Sequence, residues 1–518
     1  MPSRLPGRAP DLLADRRSAA SSPGRYAGGR AAPIRSLGAG LAACLLCSCT
    51  VGPNFHRPVP PQVGRYLPQS LPPQTASVSG PDGAAQRFLA GTDVAPQWWR
   101  AFGSPELDAL ISDALAANPS VAAAKATLRQ ALETAAAQRG SYWPQVQANF
   151  GASRQENATG VLSPTLGSGV PIFNLYTPQL TVSFAPDLLG GNRRQVESLA
   201  AAADAARFEL DATYLTLVDN IIVTAVQVAD LTEQLHQTER IASLERKSLE
   251  VLRHSLALGA VAGADVAAQE TAVAQVEESV PPLRHALEVQ RHQLAVLTGR
   301  LPSDPPAAPA DLDALHLPTE IPLSLPSRLV EHRPDVRAAE SLLHAATAQV
   351  GVSIADMLPQ FTITGGVGSV ATLMSGLFQG GTGFWSAGGS LTQTLFAGGS
   401  LVHHKRAAEA ALDAAGATYR ATVLAAFQNV ADALHALMTD ADTLAAATRA
   451  AAAAQNSYDI ARAQLDLGSV NALTLLSAEQ SYLQADIALV QARASRLADT
   501  AALFQALGGP PQTGVGGR

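Results

Sequence analysis

Leu325-Pro326-Ser327-Arg328-Leu329-Val330-Glu331-His332-Arg333-Pro334-Asp335-Val336-Arg337-Ala338-Ala339-Glu340 decides how the rest of the chain is read. Pro334 suits a first helical turn, where its missing N–H costs nothing. Val336, Ala339, Leu343, Ala346, Val350 and Ile354 recur at three- and four-residue steps, one face of a helix. Pro359 closes that helix, and an alternating segment begins at Phe361. The same signals lie earlier: Asn118-Pro119-Ser120-Val121, an Ala-rich helix, then Pro144-Gln145-Val146. The offsets agree, 334 − 119 = 215 and 359 − 144 = 215, and Leu128 falls on Leu343 without a gap. The chain is a duplicated unit, and the quoted stretch begins its second copy.

Outward from Pro144 the period becomes two. Val146, Ala148, Phe150 and Ala152 alternate with Gln145, Gln147, Asn149 and Gly151; Leu180, Val182 and Phe184 alternate with Gln179, Thr181 and Ser183. This predicts a hairpin with one apolar and one polar face. The second copy repeats it with Phe361, Ile363 and Val367, a Gly-rich loop, and a strand over Phe384–Phe396. Apolar-out, polar-in strands fit a membrane barrel, and a half-buried soluble sheet reads the same.

Each hairpin ends in a double glycine, Gly190-Gly191 and Gly398-Gly399, and a proline-free helical pattern follows each, over about 192–258 and 401–467. At ~1.5 Å per residue each helix is on the order of 100 Å long, a length that belongs to coiled bundles or tubes. Both stop at matching turns, Leu258-Gly259-Ala260 and Leu467-Gly468-Ser469 (468 − 259 = 209), and a return helix follows each. Pro281-Pro282 should break or kink the first return helix; the second has no such pair.

The chain has 518 residues, 47% of them hydrophobic, 5% aromatic and 15% charged, with a formal charge of −7. It is too apolar to be disordered, and a nucleic-acid partner would need a basic face that this balance argues against. Few bulky aromatics among many alanines favour closely packed helices. All three cysteines, Cys44, Cys47 and Cys49, sit in one short stretch, so no disulfide framework runs along the chain. Arg30 and Arg35 precede an apolar run too short to span a bilayer as a helix. Leu46-Cys47-Ser48-Cys49 resembles a bacterial lipobox with Cys49 as the residue to be lipidated; a short anchor or an ordinary leader is the alternative. Residues 50–97, rich in Pro, Gly and Gln, read as an extended tether without a core.

No arrangement of residues reads as an active site. His403-His404 are neighbours on a helix and point about 100° apart, so they do not converge on one ion. There is no His-Glu-x-x-His, nucleophile elbow or phosphate loop. Arg333-Pro334-Asp335 reads as a structural turn with local charge pairing. Three function classes therefore stand: a passive conduit, a helical envelope scaffold or stalk, and an envelope enzyme. The paired hairpins favour the first, since a stalk needs no amphipathic strand pair before each long helix.

At these residues the chain resembles the outer-membrane factor family, the TolC-like exit ducts of tripartite efflux systems, and within it the OprM- or NodT-type lipoproteins. The resemblance rests on Cys49 with Val51-Gly52-Pro53-Asn54-Phe55-His56-Arg57-Pro58, on Trp98-Trp99 with Phe102, on Asn118-Pro119, on the quoted stretch and on the two turns. It implies a mixed α+β fold: a duplicated unit of amphipathic β-hairpin plus very long α-helices. Three protomers would build a 12-stranded outer-membrane β-barrel continuing into an α-helical periplasmic barrel. The segments would be a lipoprotein-type signal peptide (1–48), a lipidated tether (49–97), a first repeat (98–300), a linker (301–324), a second repeat (325–510) and a disordered tail (511–518). The implied partners are two further copies, a periplasmic adaptor (membrane fusion) protein, an inner-membrane RND-type pump and outer-membrane lipid. A type I secretion system is the alternative setting. No cofactor is implied beyond covalent lipid on Cys49. The two turns would meet the adaptor, and Leu473 and Ser477 fall at the positions of the family's gate, with Ser477 where the family has Asp. Ser255 and Gln464 stand where the family often has a basic residue. Four methionines in the whole chain argue against a Met-lined metal route.

Overall fold

The computed structural model describes residues 50–61, 63–156, 172–309 and 311–509. Residues 1–49, with the lipobox and Cys49, and the tail from 510 lie outside the described residues.

The duplication is visible element by element. In the first copy, helices α1 (Pro105–Ala117) and α2 (Pro119–Arg139) lead to strands β2 (Gln145–Glu156) and β3 (Ile172–Phe184). The long α3 (Gly191–Ala257) and the return helix α4 (Gly263–Leu297) follow. In the second, α5 (Pro326–His332) and α6 (Pro334–Ala355) lead to β5 (Gln360–Ser369) and β6 (Gly383–Thr392), then α7 (Ser400–Asp466) and α8 (Ala472–Leu507). Both long helices contain 67 residues. Local chemistry sets the ends. Ser104 Oγ accepts from the Leu107 N–H at the start of α1, and Asn118 Oδ1 accepts from Ser120 at the start of α2. Gly190 and Gly399, at φ 81° and 87°, turn each strand's exit into a helix through the left-handed region.

The strands form one antiparallel sheet in the order β2-β3-β5-β6. Its register answers what alternation left open. Val146 pairs with Val182, Leu180 with Val367, Val367 with Trp385 and Phe361 with Leu391. The alternating apolar residues of β2, β3 and β5 therefore lie on one face with Trp385 and Leu391 of β6, and that face is exposed: Val146 is 66% and Trp385 79% accessible. Glutamine, asparagine, threonine, serine and glycine fill most of the other, with Phe173, Leu175 and Phe384 near the end of the sheet away from the helices. β6 ends at Thr392, four residues before the expected Phe396, because its partner β5 begins at Gln360, opposite Thr392.

Three expectations are corrected. The Pro281-Pro282 pair does not interrupt α4, which is continuous over Gly263–Leu297. Both prolines are exposed, so the carbonyls they leave without N–H partners face solvent rather than a buried wall. The segment 50–97 is extended but docked: β1 (Arg87–Ala90) pairs in parallel with β4 (Glu320–Leu323), Thr75, Gln86 and Val94 are buried, and Trp98, Trp99 and Phe102 just after it are buried too. The linker likewise contributes Leu312, Leu315 and Ile321 to the main core. That core sits where tether, α1 and linker meet the middles of α3 and α7 and the C-terminal half of α8; Trp98 stacks on Phe504 with centroids 5.2 Å apart. α3 has an 18-residue window apolar enough to cross a membrane, but 56% of it is buried against neighbouring helices.

Candidate functional site

The two interhelical turns are near copies. Leu258 and Leu467 cap their helices, and Gly259 and Gly468 follow at φ 72° and 70°. The Gly468 N–H donates to the Leu465 carbonyl at 2.9 Å and the Ser469 N–H to that of Gln464 at 2.8 Å. Gly259 and Ala260 donate equivalently to Leu256 and Ser255, both at 2.9 Å. This is the Schellman pattern, and it satisfies the last orphan carbonyls of each helix. A Cβ placed on either glycine meets nothing within 4 Å. Leu258 and Leu467 are 72% and 81% exposed, an apolar pair presented with no cover in the protomer. The turns diverge only at the return. Asp265 accepts from the Ala262 N–H at 3.0 Å, whereas Asn471 Oδ1 accepts from Thr474 N–H at 2.9 Å.

Leu473 is the second residue of α8, half-buried against a small apolar cluster that includes Leu249, Leu252, Val266 and Val273 of the first hairpin. Ser477 is exposed one turn further on, its carbonyl accepting from Ser481 Oγ at 2.9 Å. Asp466 is exposed at the end of α7. Arg333 reads as the sequence suggested: it chelates Asp335 through Nε and Nη2 and donates Nη1 to the Ala506 carbonyl at 2.8 Å.

Sequence reasoning missed a lock at the sheet–helix junction. Arg194 is buried and donates to the Val51 carbonyl at 3.0 Å, to Asn54 Oδ1 at 2.6 Å and to Glu197 at 2.8 Å. Phe55 stacks on His344 at 4.4 Å, and His344 faces Glu197 at 2.9 Å. Gly52 crosses α6 at Gly351 so closely that a Cβ on Gly52 would lie 2.5 Å from the Gly351 Cα. The signal was present in Gly52 and Gly351, but they are 299 residues apart (351 − 52) and nothing local joins them.

Carboxyls are buried along the helices. Burial pushes Asp219 up to about 7, and Asp211 up to about 6 against the opposing pull of Arg207. Asp440 is raised to about 7, by burial first and then by the neighbouring Asp499.

A sheet that exposes a whole apolar face, continued by paired helices of this length, defines a segment of an outer-membrane channel wall. The family model described as outer membrane efflux protein matches residues 110–300 and 325–509, and the chain belongs to that family. It is 29% identical over 484 residues to the pyoverdine export outer membrane protein OpmQ of Pseudomonas aeruginosa, covering 90% of this chain and 96% of that one. It is 29% identical over 475 residues to the probable efflux pump outer membrane protein TtgC of Pseudomonas putida, covering 90% and 94%. Among solved structures, the open state of the MtrE outer membrane channel of Neisseria gonorrhoeae superposes with a TM-score of 0.75. The two share 26% identity over 89% of this chain and 98% of that one. The protein is an outer-membrane efflux channel whose helices extend into the periplasm.

Proposed function

We propose that three copies of this chain form one exit duct, anchored by lipid on Cys49. It receives small molecules from an inner-membrane RND-type pump through a periplasmic adaptor. The observation that carries this reading is the sheet. Its apolar face cannot stand in water, and its unpaired edges, β2 and β6, cannot stand in lipid. Head-to-tail joining of β6 to the next copy's β2 removes every edge, and three copies give about twelve strands, within the range of such barrels. A stalk or scaffold leaves the exposed face without a purpose.

Leu258-Gly259-Ala260 and Leu467-Gly468-Ser469 supply the adaptor contact: exposed leucines for apolar burial and glycines that let another backbone approach. Leu473 supplies the constriction, its exposed half completing an apolar ring of three that resists wetting. Ser477 adds hydroxyls where a carboxylate would make the ring bind cations. The reading needs no cofactor and assigns no catalytic residue. It is tested by running an outer-membrane fraction unheated and heated on a denaturing gel. A heat-labile band at three times the protomer mass is expected; a band at protomer mass in both lanes, from functional membranes, overturns it.

A further inference from the structure

The two copies of the duplicated unit meet inside the chain at a junction that recurs, uncovered, at its edges. The caps of the long helices lie 209 residues apart (Gly399 on Gly190), and the residues that lead into the hairpins lie 215 apart (Pro359 on Pro144). Inside the chain β3 borders β5 and α3 borders α6. The connector from β3 to α3 therefore faces the connector from α6 to β5. Pro186, Asp187 and Leu188 on one side and Asp356, Pro359 and Phe361 on the other line one groove of about 610 Å³ at the foot of the sheet. Pro186, Asp187, Met357 and Leu358 are all half-buried there.

At the two edges the corresponding connectors are exposed and more apolar. Leu395 and Phe396 stand where Pro186 and Asp187 do (186 + 209 = 395), and Tyr142 and Trp143 where Met357 and Leu358 do (357 − 215 = 142). Leu395 is 93% and Phe396 89% accessible; Trp143 is 74% accessible, with Tyr142 exposed beside it. Leu395 and Phe396 follow β6, one unpaired edge of the sheet, and Tyr142 and Trp143 precede β2, the other. The two pairs do not meet within a protomer, because β3 and β5 lie between them.

We propose that Leu395-Phe396 of one copy and Tyr142-Trp143 of the next form an apolar clasp at the sheet–helix junction, repeated at each boundary of the duct. The inference rests on the head-to-tail reading of the trimer and adds what fastens it. Joining β6 to the next copy's β2 sets the β6–α7 connector beside that copy's α2–β2 connector, the relation that the β3–α3 and α6–β5 connectors already have inside the chain. The internal junction leaves a groove because Pro186 and Asp187 are short or polar. At the boundary a leucine and a phenylalanine, facing a tyrosine and a tryptophan, fill the equivalent space. Aromatic side chains bury large apolar areas and gain further from packing on one another, and a few such residues carry most of the energy of an interface. A belt turned toward lipid would stand at the same height, and the experiment separates the two.

Phe396→Cys/Trp143→Cys and each single variant are produced in a deletion strain, and outer membranes are treated with a short bis-maleimide. On a heated denaturing gel the double variant is expected to run as covalent dimer and trimer, and each single variant as protomer. In the assembled trimer both single cysteines should be shielded from a membrane-soluble maleimide. Phe396→Ala removes a side chain that its own protomer leaves exposed, so its effect reads the boundary rather than the protomer fold. It should lower the temperature at which the trimer band is lost, and adding Trp143→Ala should lower it little further, because the partner is already gone. A trimer without crosslinks in the double variant, cysteines labelled from the lipid, or fully additive alanine effects overturn the clasp and leave the duct reading in place. If the parent chain shows no trimer, the duct reading fails and the clasp falls with it.

Discussion

Bulk added at Gly468 should separate the fold of the turn from its use. Gly468 stands at φ 70°, where an L-residue costs roughly 1–2 kcal/mol. That cost is set by the backbone and is the same for alanine as for leucine, because a Cβ there meets nothing within 4 Å. Neighbouring contacts are unaffected, and the Schellman bonds use backbone groups that any residue retains. A loss of 1–2 kcal/mol at a helix end, remote from the main core, leaves a cooperative trimer assembled. Gly468→Ala and Gly468→Leu should therefore give equal trimer on an unheated gel. If the turn meets a second backbone, they differ in function: Gly468→Ala retains most efflux, while Gly468→Leu loses it along with crosslinking to the adaptor. Drug susceptibility of a deletion strain complemented with each variant, read beside trimer level, decides the matter. Full efflux and normal crosslinking in Gly468→Leu would refute the contact; equal loss in both variants would assign the defect to strain.

Leu473→Ala should cost about 2 kcal/mol, the low end for a leucine that is half-buried. It should also admit vancomycin and raise single-channel conductance, whereas Ser477→Ala changes little; unaltered permeability in the leucine variant places the constriction elsewhere. Gly351→Leu puts a side chain where a Cβ alone would lie 2.8 Å from Arg194 Cγ, and it should release the segment after residue 49 to limited proteolysis. Cys49→Ser should lose labelled palmitate yet keep that segment protected, and protection in both variants would remove any locking role for Arg194. Asp219 titrates near 7 when folded because it is buried, against about 3.9 unfolded. A carboxyl raised on folding favours the folded state at low pH, so its contribution declines as pH climbs from about 4 to 7 and is level above. Asp219→Asn should flatten that slope and raise the unfolding free energy at pH 8, by an amount on the order of a few kcal/mol per protomer; an unchanged pH profile would show that the carboxyl is hydrated.

What the sequence disclosed was periodic or punctuated. Pro119 and Pro334 mark helix starts, Gly259 and Gly468 mark helix stops, and both survive as local chemistry that needs no distant partner. The sheet was only half legible. Alternation assigns Leu180 and Val367 to a face each, but that both occupy one face follows from pairing across 187 residues (367 − 180). The tether was misread for the same reason. Proline and glycine reported an extended backbone correctly, while its docking depends on Arg194, Gly351 and Arg496, each contributed by a helix far along the chain. Leu312 and Leu315 were visible as leucines within a proline-rich linker, yet their burial requires the Trp98–Phe102 segment to be folded against them.

Duplication also explains how one chain builds three unlike layers. The sheet runs β2-β3-β5-β6; beneath it the helices pack in the order α2-α3-α6-α7, and nearer the turns α4-α3-α8-α7. Each layer holds four elements, two from each copy, with a first-copy element at one edge and a second-copy element at the other. In the proposed trimer the same head-to-tail contact closes all three at once, so no layer requires a contact of its own. Strands lie about 4.8 Å apart and helices about 8–10 Å apart, so twelve helices enclose a wider ring than twelve strands. A trimer so closed requires the chain to step outward between sheet and helix, and the left-handed backbones of Gly190 in the first copy and of Gly398-Gly399 in the second are where it can turn. Replacing Gly190 or Gly399 with a β-branched residue should strain that step in every protomer. At Gly190 the added Cβ would also lie 2.9 Å from the Thr50 side chain, so Gly190→Val should lower trimer yield more than Gly399→Val, where the nearest contact is His403 at 3.6 Å. Equal yields would show that the step tolerates strain and that the tether does not brace it.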